Sequence, residues 1–416
     1  MRADFIIIGL MILGGWWLWW LGRAGLVWPS LGQLSGITGI ILMAANFVLA
    51  ARWKWMEKRS GGLGRVYNGH HFLGAVAWVV LLAHPLLLSG QYLGVSVVMA
   101  MQQLLPDYGQ YPVWLGIGAL TTMIILLSIT FFVKWEYQKW KISHRFLGVA
   151  LVLAGLHVLF IPGNLSGNPW LRWYLLIWAG VGVYAWLYRI WMQKTPGTKR
   201  EYKIIRVQKW GKNVAEIIMK PTGQGIRYSP GQFVFVEFET MRMAGEQHPF
   251  SITTAGRDGE LGIAVKNLGD FTAKTMDLKP ETKVWIEGPY GKFAQQFIKD
   301  KKQVWIGGGI GITPFVGMAR GLVPGQLEKL DIFYVVSERE EAVLKPEGVS
   351  VRVWVSKERG RITGRAIADE IKDIKERMIM LCGPKPMMES LKKQFEELGV
   401  EPGNIVTEDF ALYGDY

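Results

Sequence analysis

The chain of 416 residues carries 47 Lys and Arg against 34 Asp and Glu, a formal net charge of +13, and half of its residues are hydrophobic. Its single cysteine, Cys382, excludes a disulfide framework and any iron–sulfur cluster held only by thiolates of this chain. Much of the positive charge stands in loops between apolar segments, so the expected partner is the lipid of an anionic membrane surface and no nucleic acid.

Six apolar stretches, near 4–22, 32–51, 70–90, 112–133, 144–162 and 170–192, are each long enough for a helix to cross a bilayer. Trp16, Trp17, Trp19, Trp20, Trp53, Trp55, Trp135, Trp140, Trp170 and Trp173 gather near their ends, where amphipathic rings favour the membrane interface. The stretch before the third segment holds Arg52, Lys54, Lys58, Arg59 and Arg65 against Glu57, and the one before the fifth holds Lys134, Lys139, Lys141 and Arg145 against Glu136. The loops on the opposite side hold only Arg23 and Asp107. The excess of basic residues on one side predicts a multi-pass protein of the cell membrane with both termini in the cytoplasm. Met1–Gly22 lacks a basic leader and a small-x-small site, so no cleavable signal peptide is expected.

Four of the six histidines form two spaced pairs within these segments: His70 and His84, 14 positions apart, and His144 and His157, 13 apart. Imidazoles are costly in hydrocarbon and need a reason. At ~1.5 Å of rise per residue each pair spans roughly 20 Å of helix, within a hydrocarbon core of about 30 Å. Two such helices side by side would ligate two stacked haems, one imidazole from each helix to each iron; histidines simply hydrogen-bonded between helices are the alternative. His70-His-Phe-Leu-Gly74 matches His144-Arg-Phe-Leu-Gly148, which selects His70 over His71 as the ligand. A spacing of 14 returns to nearly the same helix face, whereas 13 is off by more than a third of a turn, so the second helix must be distorted or its rings must approach from different azimuths.

After the polar linker Lys194–Arg200 the pattern changes to alternating strands such as Gln232–Phe238, punctuated by Pro-Gly turns, which reads as a small antiparallel barrel to about Phe297. From Gln303 strands alternate with helices, as in Val304–Ile306, Leu330–Val336, Val351–Val355 and Met378–Cys382, which reads as a parallel α/β sheet. The expected domains are 1–195, 196–298 and 299–416. Chemistry-bearing motifs follow in order: His248-Pro-Phe-Ser251, Gly269-Asp-Phe-Thr272, Glu287-Gly-Pro-Tyr-Gly291, Gly307-Gly-Gly-Ile-Gly-Ile-Thr-Pro314, Cys382-Gly-Pro384 and Glu408-Asp-Phe410. The glycine run lies between a strand and a helix, where backbone amides and the helix N-terminus suit a pyrophosphate; a close-packed strand-to-helix turn is its other reading.

Taken together, these motifs resemble the NADPH oxidase and ferric reductase superfamily over nearly the whole chain. The resemblance implies a six-helix transmembrane haem-binding bundle, then an antiparallel β-barrel FAD domain and a parallel-sheet NAD(P) domain. It implies FAD, NADPH or NADH, and two haem b, with His70 and His144 on the inner iron and His84 and His157 on the outer. Phe250 would lie against the isoalloxazine, Ser251 near its N5 and His248, with Pro249, toward the phosphates; Gly269 to Thr272 would support the FAD pyrophosphate. Gly307, Gly308, Gly309, Gly311, Thr313 and Pro314 would receive the dinucleotide pyrophosphate. Cys382, Gly383 and Pro384 would position the nicotinamide, and Phe410, with Tyr413 or Tyr416 as competitors, would cover the flavin. Ser251, Cys382 and Phe410 thereby become the implied catalytic residues. Arg339 would suit a ribose 2′-phosphate and Glu338 a free 2′-hydroxyl. Leu88 stands where some oxygen-reducing members carry a further histidine. The implied reaction carries electrons from cytosolic NAD(P)H through FAD and haem to an outer acceptor. Three outcomes are open: oxygen reduced to superoxide, a ferric or cupric chelate, or a haem anchor that relays electrons to a protein partner.

Overall fold

The protein is described by a computed structural model that covers residues 2–22, 27–162, 167–194, 199–241, 243, 245–256, 259–297 and 301–408. The expectations for Phe410, Tyr413 and Tyr416 lie outside the described residues. The chain divides between Lys194 and Thr195 into two compact units.

The first unit is helical: α1 (Arg2–Leu21), α2 (Val27–Ala50), α3 (Lys54–Ser60), α4 (Leu63–Gly90), α5 (Val97–Leu104), α6 (Tyr111–Phe132), α7 (Tyr137–Arg145), α8 (Leu147–Phe160) and α9 (Pro169–Lys194). Among the described residues, four stretches are long and apolar enough to cross a membrane: Leu31–Ala50, Leu63–Gly90, Tyr111–Phe132 and Tyr137–Phe160. The apolar part of α1, Phe5–Leu21, is shorter, and α9 carries Arg172 and Arg189 among its Trp and Tyr side chains. The buried seam joins Ile37 and Ile41 of α2, Met123 of α6, Leu147, Ala150 and Leu151 of α8, and Leu171 and Leu175 of α9.

Two histidine positions differ from the sequence expectation. The third helix begins at Leu63, so His70 stands two turns inside α4 and not at its start. The fifth is split at Phe146 (φ −69°, ψ −9°), which places His144 in the last turn of α7 and His157 in α8. Because the α-helical ψ is about −42°, this break unties the azimuths of the two rings from one 3.6-residue period. The Trp186 indole of α9 donates to the Arg145 carbonyl at the break, 2.8 Å away. Gly148 makes room for this indole: a Cβ there would lie 2.0 Å from the Trp186 ring.

The second unit opens with six antiparallel strands, β1 (Arg200–Trp210), β2 (Val214–Pro221), β3 (Phe233–Phe238), β4 (His248–Ser251), β5 (Leu261–Lys266) and β6 (Lys283–Tyr290), in the order β4-β3-β6-β1-β2-β5. The sheet curls until Ile252, just past β4, bridges Ile263 of the opposite edge strand β5. Its inward residues, among them Ile204, Ile217, Val234, Val236, Ile263 and Ile286, fill the interior. Five parallel strands follow: β7 (Gln303–Gly308), β8 (Leu330–Val336), β9 (Val351–Val355), β10 (Met378–Cys382) and β11 (Ile405–Glu408), in the order β11-β10-β7-β8-β9. Each face carries its own apolar core, one around Phe315 and the other around Phe395. The chain runs outward from β7 through β8 to β9 and returns on the other side at β10. The switch point therefore falls between the carboxyl ends of β7 and β10, where open α/β sheets bind ligands.

Gly148→Ala is expected to destabilise the helical unit by about 1–3 kcal/mol, the usual cost of overpacking, seen as a lower thermal midpoint in detergent. An unchanged midpoint would mean that Trp186 yields without loss.

Candidate cofactor sites

In the bundle, His84 and His157 line one cavity of about 360 Å³, within the size range of cofactor sites. The His84 Nδ1 lies 2.6 Å from the Gly32 carbonyl, and the His157 Nδ1 lies 2.7 Å from the Pro112 carbonyl. A carbonyl only accepts, so each Nδ1 carries the proton and donates it, which leaves the Nε2 lone pair free to bind a metal. The local design is the same at both sites. A main-chain carbonyl takes the imidazole proton, and a glycine four residues on clears the ring. A Cβ on Gly36 would lie 2.7 Å from His84, and one on Gly116 would lie 2.9 Å from His157.

The second pair is built differently. The rings of His70 and His144 are 6.1 Å apart between centroids and nearly perpendicular, at 70°. The His70 Nδ1 is 3.2 Å from the Asn46 carbonyl. The Thr130 hydroxyl donates to the Leu126 carbonyl at 2.8 Å and so accepts from the His144 Nδ1 at 3.2 Å. Trp140 stacks on His144 at 5.2 Å, one turn earlier in α7.

No group of three or more His, Cys, Asp or Glu side chains suited to a metal ion occurs among the described residues. Paired imidazoles fit a metal whose remaining ligands come from a macrocycle, as in haem. An imidazole whose other nitrogen is held by a carbonyl is the usual arrangement of a metal-bound histidine.

The segment His248-Pro-Phe-Ser251 occupies strand β4, in register with β3: Ser251 opposes Phe233, Phe250 opposes Val234, Pro249 opposes Phe235 and His248 opposes Val236. Ser251 is buried. Phe271 belongs to the short helix α10 (Asp270–Thr275), and its ring lies 3.8 Å from that of His248 and 6.4 Å from that of Phe250. The His248 Nε2 is 3.6 Å from a Glu246 oxygen. At the turn before α10 the Thr272 hydroxyl accepts from the amides of Leu268 and Gly269, both at 2.9 Å. Beneath β4 a buried Glu287 accepts from Gln247 and from the Tyr290 hydroxyl, each at 2.8 Å.

At the switch point, a tight turn (Gly309–Ile312) joins β7 to helix α11 (Thr313–Gly321). Three glycines of the run Gly307–Gly311 are packing residues. A Cβ on Gly307 would lie 2.7 Å from Ile312, one on Gly308 2.7 Å from Met387, and one on Gly311 2.5 Å from the Cys382 carbonyl. Gly309 differs: its φ is +55° and nothing stands within 4 Å of a Cβ. Close packing thus brings the loop against Cys382-Gly-Pro384, and Gly309 faces open space. Thr313 and Pro314 are buried. Cys382 is fully buried, opposite Gly307 in register.

Beyond β8, Arg339 donates to Glu358 at 2.8 Å and Lys357 donates to Glu338. These bonds hold the Arg339 guanidinium above its ordinary pKa and the Glu338 carboxyl below. Both pairs are exposed, hence weak and exchangeable.

Sequence reasoning passed over Gly32, Gly36, Pro112 and Gly116. Their signal was present: Gly32 and Gly36, and Pro112 and Gly116, each stand four apart, one turn along a helix.

Family models match the two halves separately, a ferric reductase like transmembrane component over residues 35–155 and an FAD-binding domain over residues 199–294. The chain is 29% identical over 260 residues to respiratory burst oxidase homolog protein D of Arabidopsis thaliana, covering 50% of this chain and 27% of that protein. It is 31% identical over 109 residues to dual oxidase 1 of Canis lupus familiaris, covering 24% of this chain and 7% of that one. The chain thus spans about a quarter or less of these relatives' length. Among solved structures, the FAD/NAD-binding domain of nitric oxide dioxygenase from Vibrio cholerae O1 biovar El Tor is 23% identical with a TM-score of 0.45, covering 50% of this chain and 97% of that chain.

Gly36→Val and Gly116→Val are expected to push their imidazoles aside and abolish most haem absorbance at that site in purified protein, with the flavin unit still folded. Full haem content in both would show that the clearances are not needed.

Proposed function

Because the chain belongs to the NADPH oxidase and ferric reductase superfamily, we propose that it is a transmembrane oxidoreductase carrying electrons from cytosolic NAD(P)H to an acceptor on the outer face. The observation that carries this reading is the pair His84 and His157. They are two imidazoles on separate helices, lining one cavity, each with its Nδ1 proton committed to a main-chain carbonyl.

Bound flavin and haem would supply the redox chemistry, the first converting a two-electron donor into single electrons and the second passing them on. In this reading His84 and His157 hold one haem and His70 and His144 the other, with six spans surrounding them. Residues 1–195 form the haem domain, 196–298 the FAD domain and 299–416 the NAD(P) domain. The chain's own work is positional. Carbonyls fix the imidazole tautomers, Phe250 and Phe271 present aromatic surface to a flavin, and Gly309 leaves its backbone approachable by a phosphate. Cys382, fully buried, acts by setting the strand end against Gly307 and Gly311. Arg339 leaves its exposed partner Glu358 for a ribose 2′-phosphate, which favours NADPH.

For the acceptor we propose oxygen, reduced to superoxide. None of the described residues lining the cavity of His84 and His157 is charged; Gln33, Gln103 and Asn168 supply its amides. Such a lining suits a small neutral acceptor better than an anionic chelate.

Purified protein is expected to oxidise NADPH in air with dye reduction that superoxide dismutase abolishes. Turnover only under argon with a ferric chelate would assign the reductase reaction instead. His84→Ala and His157→Ala should each lower haem toward one per chain while flavin reduction by NADPH survives; unchanged reduced-haem spectra in both would reject the ligand assignment. Arg339→Gln should raise KM for NADPH roughly tenfold, the scale of one lost charge-assisted hydrogen bond, with KM for NADH nearly unchanged. Equal changes for both dinucleotides would remove Arg339 from cofactor choice.

A further inference from the structure

The flavin strand and the dinucleotide helix meet at one buried ionic contact that no motif above includes. Arg320, in the last turn of α11, donates to Glu216 of β2 at 2.6 Å and to the Thr253 carbonyl at 3.0 Å, and it reaches Glu347 at 3.2 Å. The Thr253 hydroxyl donates to the same Glu216 oxygen at 2.7 Å. The Glu216 side chain is only 4% exposed. Burial works against the charge on Arg320, yet the bonds to Glu216 and Glu347 outweigh it and hold the guanidinium above its ordinary pKa. One turn earlier on the same helix, Gly317 brings backbone against backbone: a Cβ there would stand 2.2 Å from the Ile252 carbonyl. At Gly321 a Cβ would stand 2.8 Å from Pro230, in the turn before β3.

The two ends of this contact are short covalent paths from the two cofactor motifs. Thr253 follows Ser251 by two residues, and Arg320 lies two turns along the helix that begins at Thr313. We propose that Arg320, through Glu216 and Thr253, is a positioning residue that fixes the separation between the flavin strand β4 and the dinucleotide helix α11. That separation sets the geometry in which a hydride, with its electron pair, leaves C4 of the reduced nicotinamide and bonds to N5 of the flavin, oxidising the first and reducing the second. The inference rests on the oxidoreductase reading. Arginine is required because one planar fork must reach acceptors in both lobes, Glu216 and the Thr253 carbonyl through one nitrogen and Glu347 through the other. Glu216 is required because a buried guanidinium contact needs a fixed counter-charge.

The test uses the full-length, FAD-loaded protein under argon, with stopped-flow flavin reduction by NADPH at saturating concentration. Arg320→Met, and Arg320→Lys as the variant that keeps the charge and the fold, are expected to lower the flavin-reduction rate roughly tenfold to a hundredfold, as expected for a displacement on the order of 1 Å. NADPH affinity and FAD per chain should stay near the parent values, and the isotope effect with nicotinamide deuterated at C4 should be retained or enlarged. Glu216→Gln should slow the step too, and the double variant should be no slower than the worse single, since the two residues act as one contact. A second readout needs no turnover: hydrogen exchange at Thr253 and along Gly317–Gly321 should quicken in Arg320→Lys. Parent-like reduction by the FAD-loaded variants, or a loss that merely follows missing FAD, would overturn the proposal. No flavin reduction by NADPH or NADH in the parent protein would overturn the oxidoreductase reading itself, and this inference with it.

Discussion

A polar ring placed among apolar helices must give its N–H proton to something, and here the helix backbone takes it. The Gly32 carbonyl accepts from the Ser35 hydroxyl at 2.7 Å as well as from His84, using both lone pairs, and the Pro112 carbonyl accepts from His157. An unpaired buried donor would cost about 1–3 kcal/mol. Meeting that need with main chain instead of a side chain has a chemical consequence, because a carbonyl cannot donate and the tautomer is fixed. The buried donor and the position of the free Nε2 lone pair are thus settled by one bond. The bond forms only if the ring sits directly on the helix surface, which explains glycine at positions 36 and 116.

The same use of glycine recurs in the second unit for a different end. Gly307, Gly308 and Gly311 let the carboxyl ends of β7 and β10 close on one another, and Gly317 lets α11 rest on the chain beyond β4. At Gly311 and Gly317 the absent Cβ lets two backbones meet, whereas at Gly307 and Gly308 it makes room for Ile312 and for the Met387 and Pro384 side chains. Within the glycine run, Gly307, Gly308 and Gly311 are close-packed and Gly309 is the open residue.

Much of this was legible in the chain. The apolar runs, the alternating strands and the strand–glycine–helix pattern marked the helical, antiparallel and parallel parts. Between His144 and His157 the helix is interrupted at Phe146. What the sequence concealed depends on contacts between distant segments. The local repeat at His70 and His144 suggested equivalent positions, yet one lies inside a continuous helix and the other at the end of a short one. Phe146 looks like any apolar helix residue, and the Trp186 indole that serves the freed carbonyl lies 41 positions from it. The edge strand Ile405–Glu408 is too short to be read from alternation alone. Arg320 and Glu216, 104 positions apart, carry no motif.

The two kinds of ion pair in the second unit divide its labour. Arg339 with Glu358 and Glu338 with Lys357 are exposed, so each is worth little and exchanges with solvent. A group that must let go of its partner to receive a ligand has to be held this loosely. Arg320 with Glu216 is mostly buried, and removing one partner would strand a charge at a cost of several kcal/mol. Such a pair is unsuited to exchange and well suited to holding a distance. In the proposed reading, selectivity among dinucleotides would come from the rim beyond β8, which a few substitutions can retune, and the rate of electron entry from the joint that Arg320 and Glu216 make. The two properties should vary independently because they rest on ion pairs with different degrees of burial.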